Sequence, residues 1–369
     1  MGKQFLKNPK DIYEVYGNVY LPICAIFHAF TFSLIPFYIS FVLWYITNII
    51  LGMLFVREYN KILILMNLKD KRYRFLILLI ISNGWYILQH FAWNQKKFLA
   101  GLLVAYILRR EMQHRELKIK NTYKYYFVNY NCILFVLAIA PYFFLLLLAY
   151  VFYDIKRKDL FKVANLKKYF LVISLFFAQN FLFIIYPSMI RDFYKETEYF
   201  TWGIPVFQHF YLTELCANVF DRDLVPKVNF ALNIILIILS TIIICLKRLK
   251  IEIKFGYINL FIMFLYQHAW KSLFIIIAFI LLIIIPFLKE DKDLLKFFKK
   301  NKIALMGAFS LLCINFTPFG DMGIYPFFPG ITYFYFIYLS LLIISLIVLN
   351  CKKEHNSYSN LTIIKKFNT

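Results

Sequence analysis

The chain has 369 residues, of which 62% are hydrophobic and 17% charged, and its formal net charge is +22. Soluble domains run at roughly 45–50% and 25%, so this composition argues against an ordinary water-soluble core. Excess positive charge would suggest nucleic acid in a soluble chain. Here no basic module is interleaved with aromatic residues in the way RNA- or DNA-binding surfaces are, and no nucleic-acid partner is expected.

The charge is unevenly spread. Thirty-two of the 42 Lys and Arg residues fall in six stretches, 57–74, 109–124, 154–168, 247–254, 289–302 and the tail after Asn350. Apolar runs separate these stretches, and Lys/Arg-rich connections between spans mark the cytoplasmic side of a membrane. The exception is 188–228, with four basic and six acidic residues. Together these features predict an all-α polytopic membrane protein forming a single transmembrane domain over 1–369.

The opening stretch, MGKQFLKNPKDIYEVYGN, is polar and has no apolar core of a cleavable signal peptide. Residues 1–35 read as an outer segment followed by a short membrane helix at 20–34, which starts at Tyr20-Leu21-Pro22. Residues 36–56 then cross inward, and 73–91 return outward to Trp93-Asn94-Gln95-Lys96-Lys97. Residues 98–108 go back in, although 11 residues cover only about half of a hydrocarbon core of about 30 Å. Residues 126–153 are flanked by basic stretches on both sides, so a single crossing conflicts with the charge rule. Pro141 resolves this conflict, because proline removes a helical hydrogen bond and clashes with the preceding turn. Two short legs, 128–140 and 142–153, are predicted to form a re-entrant hairpin.

Residues 169–186 exit, and 188–228 form the main extracytoplasmic loop. Residues 230–246 enter and 255–266 exit, and a tight outer turn follows at Gln267-His268-Ala269-Trp270-Lys271. Residues 273–288 enter and 303–316 exit. A Gly/Pro-rich outer loop, 317–330, leads to the last span at 331–349 and a cytoplasmic tail at 350–369. The expected total is about nine to eleven transmembrane or re-entrant helices.

The six cysteines (Cys24, Cys132, Cys216, Cys245, Cys313 and Cys351) contain no C-x-x-C pair, which argues against a zinc site or a disulfide framework. Motifs of soluble enzymes, such as the P-loop, G-x-G-x-x-G, G-x-S-x-G and H-E-x-x-H, are absent. Span centres carry almost no ionisable residues, whereas a transporter tends to place them there. Asn83, Gln179, Asn180 and Asn233 are the main polar intrusions, and hydrogen bonding between helices accounts for them as well as substrate contact does.

Chemistry is therefore expected at the outer ends of the helices. The candidate acids are Asp11 and Glu14. The candidate binding groups are Gln95, Lys96, Lys97, Arg191, His209, His268, Trp270 and Lys271. Cations on the outer face run against the topological bias. Snorkelling to the interface explains Lys96, Lys97 and Lys271, and His268 also reads as an ordinary interfacial histidine. The functional alternative is a lipid-linked phosphate held at the membrane surface, where cationic donors suit an anion.

Several of these features, taken in order, resemble the polytopic glycosyltransferases of family 87, in the GT-C superfamily. Asn8-Pro9 followed by Tyr20-Leu21-Pro22 resembles the family's Asn-Pro-Tyr…Tyr-x-Pro segment, and Leu43-Trp44 resembles its Leu-Trp. Asn94-Gln95 resembles its Gly-Gln-x-Asn turn, without the Gly and in a different order. Residues 134–148 with Pro141 resemble its Lys-Pro hairpin, with Ala140 where Lys is usual. Gln267-His268-Ala269-Trp270 resembles its outer turn with Trp and His. The resemblance implies transfer of a sugar, often mannose, from a polyprenyl-phosphate donor to a lipid, glycan or protein acceptor on the extracytoplasmic face. It implies no metal, no cofactor and no soluble nucleotide. In the family the catalytic Asp lies in a first outer loop after a first transmembrane helix, and this sequence starts at what resembles the end of that loop. The expectation is that the usual helix and Asp lie upstream, that Asp11 or Glu14 substitutes, or that the chain is inactive alone. The rival expectations are a surface-polysaccharide polymerase or ligase, and a lipid or polysaccharide transporter or flippase.

Overall fold

The computed structural model describes residues 2–13, 20–83, 97–119, 122–140, 143–153, 155, 157–202, 225–246, 249–265, 274–283, 285 and 286. Among the described residues the regular elements are helical and none is a strand.

The chain opens with α1 (Gly2–Lys7) and a 3-10 turn at Pro9–Asp11, and α2 (Pro22–Thr31) follows. Pro22 sits in the first turn of α2, where its missing N–H costs nothing and its fixed φ suits the helix. Pro36 then caps α3 (Phe37–Leu65). At 1.5 Å per residue, α3 is about 43 Å long, so it outruns a hydrocarbon core of about 30 Å. The excess carries Glu58 and Lys61 beyond the apolar stretch.

The α3 helix packs most extensively against α5 (Lys97–Glu116). Their contacts keep a constant sense: Trp44 and Leu99 line one groove, as do Leu51 and Leu103, and Glu58 pairs with Arg109. The two helices are therefore parallel. Parallel neighbours require the chain to return between them, and α4 (Lys71–Asn83), which also packs on α3, starts that return.

The α5 helix corrects the expectation of a half-length segment at 98–108. It continues unbroken to Glu116 through the run Arg109-Arg110-Glu111-Met112-Gln113, residue types with good helix propensity. The charges there mark a change of surroundings, not a change of backbone.

The pair α6 (Tyr123–Ile139) and α7 (Phe144–Phe152) bears out the hairpin geometry. The Thr122 side chain accepts a hydrogen bond from the Tyr125 N–H and caps α6. The helix ends at Ile139, and Ala140, the residue before Pro141, is extended at φ −145° and ψ 81°. Asn129 Nδ2 then donates to the Tyr150 hydroxyl at 2.6 Å. Twenty-one residues of continuous helix would separate these groups by about 30 Å, so the two legs fold back on each other.

Next come α8 (Val163–Gln179), α9 (Phe181–Ile185) and α10 (Ser188–Trp202). The last of these corrects the reading of 188–228 as loop over its first part; 203–224 lie outside the described residues. The helices α11 (Val225–Cys245) and α12 (Ile251–Leu265) form an antiparallel pair, and the buried Lys254 donates to the Ile244 carbonyl at 2.6 Å. The short α13 (Phe274–Ile280) packs on α12, and the Tyr59 hydroxyl reaches its Ala278 carbonyl. Gly256 allows this close approach, since a Cβ there would stand 3.1 Å from the Phe279 carbonyl. The predicted spans 303–316 and 331–349 and the tail at 350–369 lie outside the described residues.

Among the described residues, one end of the bundle holds nearly all of the buried charged side chains. Glu111 on α5 is 1% exposed and accepts from the hydroxyls of Tyr125 at 2.8 Å, Tyr150 at 3.2 Å and Tyr153. Arg110 donates to Asn129 at 2.8 Å and lies over the Tyr125 ring, and Arg115 pairs with Glu252 of α12 at 2.7 Å. Arg109 pairs with Glu58 of α3 and also donates to Gln113. We call this the charged end.

The outside of the bundle is strongly apolar. Tyr38 is 82% exposed, and Phe41, Ile46, Ile50 and Met53 continue that exposure along α3. Phe170, Ile173 and Phe177 do the same on α8, and Phe230, Ile234, Ile238 and Ile242 on α11. By length and composition α3 is the one described helix able to cross a membrane, while Pro22–Thr31 and Phe230–Cys245 are shorter apolar helices.

The carboxylate of Glu111 makes one prediction. Tyr125→Phe removes a hydroxyl from a buried charge and should cost about 2 kcal/mol. Thermal or denaturant unfolding of the purified protein measures this, and an unchanged midpoint would show that Glu111 draws its stabilisation elsewhere.

Candidate functional site

A groove of about 500 Å³ lies between α2, α3, α5, α6 and α8. Phe27, Thr31 and Phe32 form one wall, Trp44, Thr47 and Leu51 a second, and Leu99 with Leu103 a third. Cys132 and Phe135 of α6 complete the lining. Each helix contributes through its own geometry: Trp44, Thr47 and Leu51 lie three and four residues apart on α3, and so share one face.

The groove is apolar except at its amide edge. Gln179, the last residue of α8, donates through Nε2 to the Asn131 carbonyl at 3.0 Å and to its Oδ1 at 3.1 Å. The Asn131 amide in turn donates to the Phe127 carbonyl at 2.9 Å. Gln179 Oε1 is buried and accepts no hydrogen bond among the described residues. An unpaired buried acceptor is costly, and it offers a place for a donor that enters the groove.

Above this groove, on the side away from the charged end, the N-terminal segment folds over α2. Ile12 and Tyr13 are buried with Ala25 of α2, Leu182 of α9 and Met189 of α10. The Tyr13 ring stacks on Phe183 and meets Phe193 edge-on, with centroids 6.1 Å and 5.3 Å apart. Its hydroxyl donates to the Tyr20 carbonyl at 2.9 Å. Burial, and then the neighbouring Cys24, push the Tyr13 hydroxyl well above the ordinary tyrosine range. Tyr13 therefore stays a hydrogen-bond donor and does not act as a base.

Three of the site residues expected from sequence belong to the described residues, and all three fall at this end. Asp11 ends the 3-10 turn and is half-buried; Asn8 Nδ2 donates to its Oδ2 at 2.5 Å. No hydrogen bond reaches Oδ1 among the described residues, so that oxygen remains an available acceptor. Arg191 lies on α10, in the helix whose Met189 and Phe193 hold Ile12 and Tyr13. Its guanidinium is mostly exposed, and among the described residues its ionic partner is the adjacent Asp192 at 3.6 Å. Lys97 opens α5, two residues before the groove-lining Leu99. Glu14, Gln95, Lys96, His209, His268, Trp270 and Lys271 lie outside the described residues.

Sequence reasoning missed the groove itself and the Glu111 cluster. Trp44 was singled out only through the Leu43-Trp44 resemblance. The Glu111 cluster had a visible signal, a lone acid within Arg109-Arg110-Glu111, followed by Tyr125 and Asn129 one helical turn apart.

The groove predicts an order of cysteine reactivity. A small apolar maleimide should modify the exposed Cys245 fastest, the groove-lining Cys132 more slowly, and the buried Cys24 least. Leu103→Trp should slow labelling of Cys132 without slowing that of Cys245, as read by peptide mass mapping. Equal rates at Cys132 in both proteins would mean that the groove does not give access to this thiol.

Comparison of the chain with protein-family models, with curated proteins and with solved structures finds no match.

Proposed function

We propose that this chain is a polytopic membrane glycosyltransferase of the GT-C type that uses a polyprenyl-phosphate-linked sugar. The observation that carries the reading is the apolar groove with Asp11 at the end away from buried charge. A long isoprenoid chain needs an apolar channel, and its phosphate and sugar need polar groups at the mouth. The groove answers the first need, and Asp11, Lys97 and Arg191 share the end where the second would be met.

The exposed aromatic and aliphatic belt on α3, α8 and α11 supports a membrane setting, since soluble monomers rarely expose such continuous apolar surface. In that setting the charged end faces the cytoplasm, because 57–74, 109–124 and 154–168 meet there, and the groove opens toward the outer face.

In the proposed reaction, Asp11 Oδ1 takes the proton of the acceptor hydroxyl as general base. The acceptor oxygen then forms a bond to the anomeric carbon while the bond from that carbon to the phosphate oxygen breaks. The polyprenyl phosphate leaves with the electron pair, and its charge is met by cations such as Lys97 and Arg191. The α2 helix stands between groove and Asp11, so the lipid chain and the reacting sugar would occupy opposite flanks of one helix about 10 Å wide.

Asp11→Asn tests this directly. Transfer of radiolabelled mannose from polyprenyl-phosphate-mannose in isolated membranes should fall by about a hundredfold or more, with labelling of Cys132 unchanged. Undiminished transfer would remove Asp11 as the base. Movement of lipid-linked sugar across proteoliposomes without any transfer would replace the enzyme reading with a flippase.

A further inference from the structure

Two turns at the charged end carry exposed lysines beside exposed apolar side chains. On the turn from α5 to α6, Leu117 is 67% exposed and sits next to the exposed Lys118, while Tyr123 and Lys124 are exposed just beyond. On the turn from α7 to α8, Phe161 is 84% exposed, and Val163 and Leu166 follow it. Lys158 and Lys167 flank those three and are exposed too. The two turns form one surface, because Lys168 at the start of α8 lies 4.6 Å from the centroid of the Tyr126 ring at the start of α6. Phe152 and Tyr169 pack beside it at 5.4 Å.

Most of the exposed lysines on this surface have no acidic partner among the described residues. Lys162 pairs with Asp159 at 2.8 Å, and Glu116 is the one exposed acid on the two turns among the described residues. Lys118, Lys124, Lys158 and Lys167 make no ion pair among those residues. Three further acids nearby, Glu58, Glu111 and Glu252, are turned inward and already engaged by Arg109, by three tyrosines and by Arg115.

Phe161 and Leu117 are poorly placed in water, and the four lysines beside them, without an ion pair among the described residues, are poorly placed in hydrocarbon. The boundary of a membrane satisfies both, with the apolar groups in the acyl region and the ammonium groups among the phosphates. We propose that these two turns form a docking surface for anionic phospholipid headgroups of the cytoplasmic leaflet. The partner is a lipid surface of net negative charge. Zwitterionic headgroups also carry phosphate, but they leave the summed positive charge unanswered. The proposal rests on the membrane reading above and is independent of sugar transfer.

Phe161→Trp supplies the probe, because an exposed position tolerates the larger ring. The full chain is reconstituted in vesicles of phosphatidylcholine that contain brominated phosphatidylglycerol or, separately, brominated phosphatidylcholine. Quenching is read as the difference from the parent protein with its native tryptophans. Quenching by the anionic lipid should exceed that by the zwitterionic one by about fivefold in relative association constant, the order expected for one lysine at an anionic surface. Lys158→Gln with Lys167→Gln should bring that ratio close to one and leave quenching by the zwitterionic lipid intact. Equal quenching by the two lipids in Phe161→Trp, or a ratio that survives both lysine substitutions, would overturn the proposal. Absence of quenching by either lipid would instead remove the membrane reading on which it stands.

Discussion

A single buried carboxylate organises one end of this molecule. Glu111 lies among α5, α6 and α7, where three tyrosine hydroxyls donate to its carboxylate. A buried charge without donors costs several kcal/mol, so the positions of Tyr125, Tyr150 and Tyr153 are tightly constrained. The same turns of α5 hold α3 through Arg109 and Glu58, and α12 through Arg115 and Glu252. One helix terminus thus specifies the place of four neighbours, each through a different polar partner.

Pinning at one end has a consequence at the other. The polar contacts that set the helix spacing are concentrated where α5 ends; beyond them, apart from the Gln179–Asn131 hydrogen bonds, α3, α5, α6 and α8 meet through apolar contacts that leave a groove of about 500 Å³. The hairpin of α6 and α7 connects the two regions. Its base is tied at Asn129 and Tyr150, while Cys132 and Phe135, one and two turns further along α6, line the groove. The near-tip carbonyl of Ala138 accepts from the Leu21 N–H at 3.3 Å, so the start of α2 takes its position from the hairpin.

The two ends also differ chemically. The charged end combines inward-facing, neutralised acids with outward-facing lysines, which gives it a strongly positive surface. The opposite end carries a more even balance, with Asp11 and Arg191 on segments joined by Ile12, Tyr13, Met189 and Phe193. Such polarity along a bundle matches a molecule set across a boundary between unlike environments, with an exposed apolar belt between its ends.

Much of this organisation was legible in the residues alone. Apolar run length and the clustering of lysine and arginine determine the all-helical class, the alternation of segments and the end at which basic residues gather. Pro141 determines the break in the hairpin, since neither it nor the residue before it suits a helix interior. Residues 109–116 were misread as a connection because charge reports on solvent, while helix propensity and buried partners decide the backbone. The groove was not legible at all. It depends on parallel packing of α3 with α5, which brings Trp44 to Leu99 across more than fifty residues. A one-dimensional pattern carries the periodicity of each helix, but only the tertiary structure selects which faces meet and in what register.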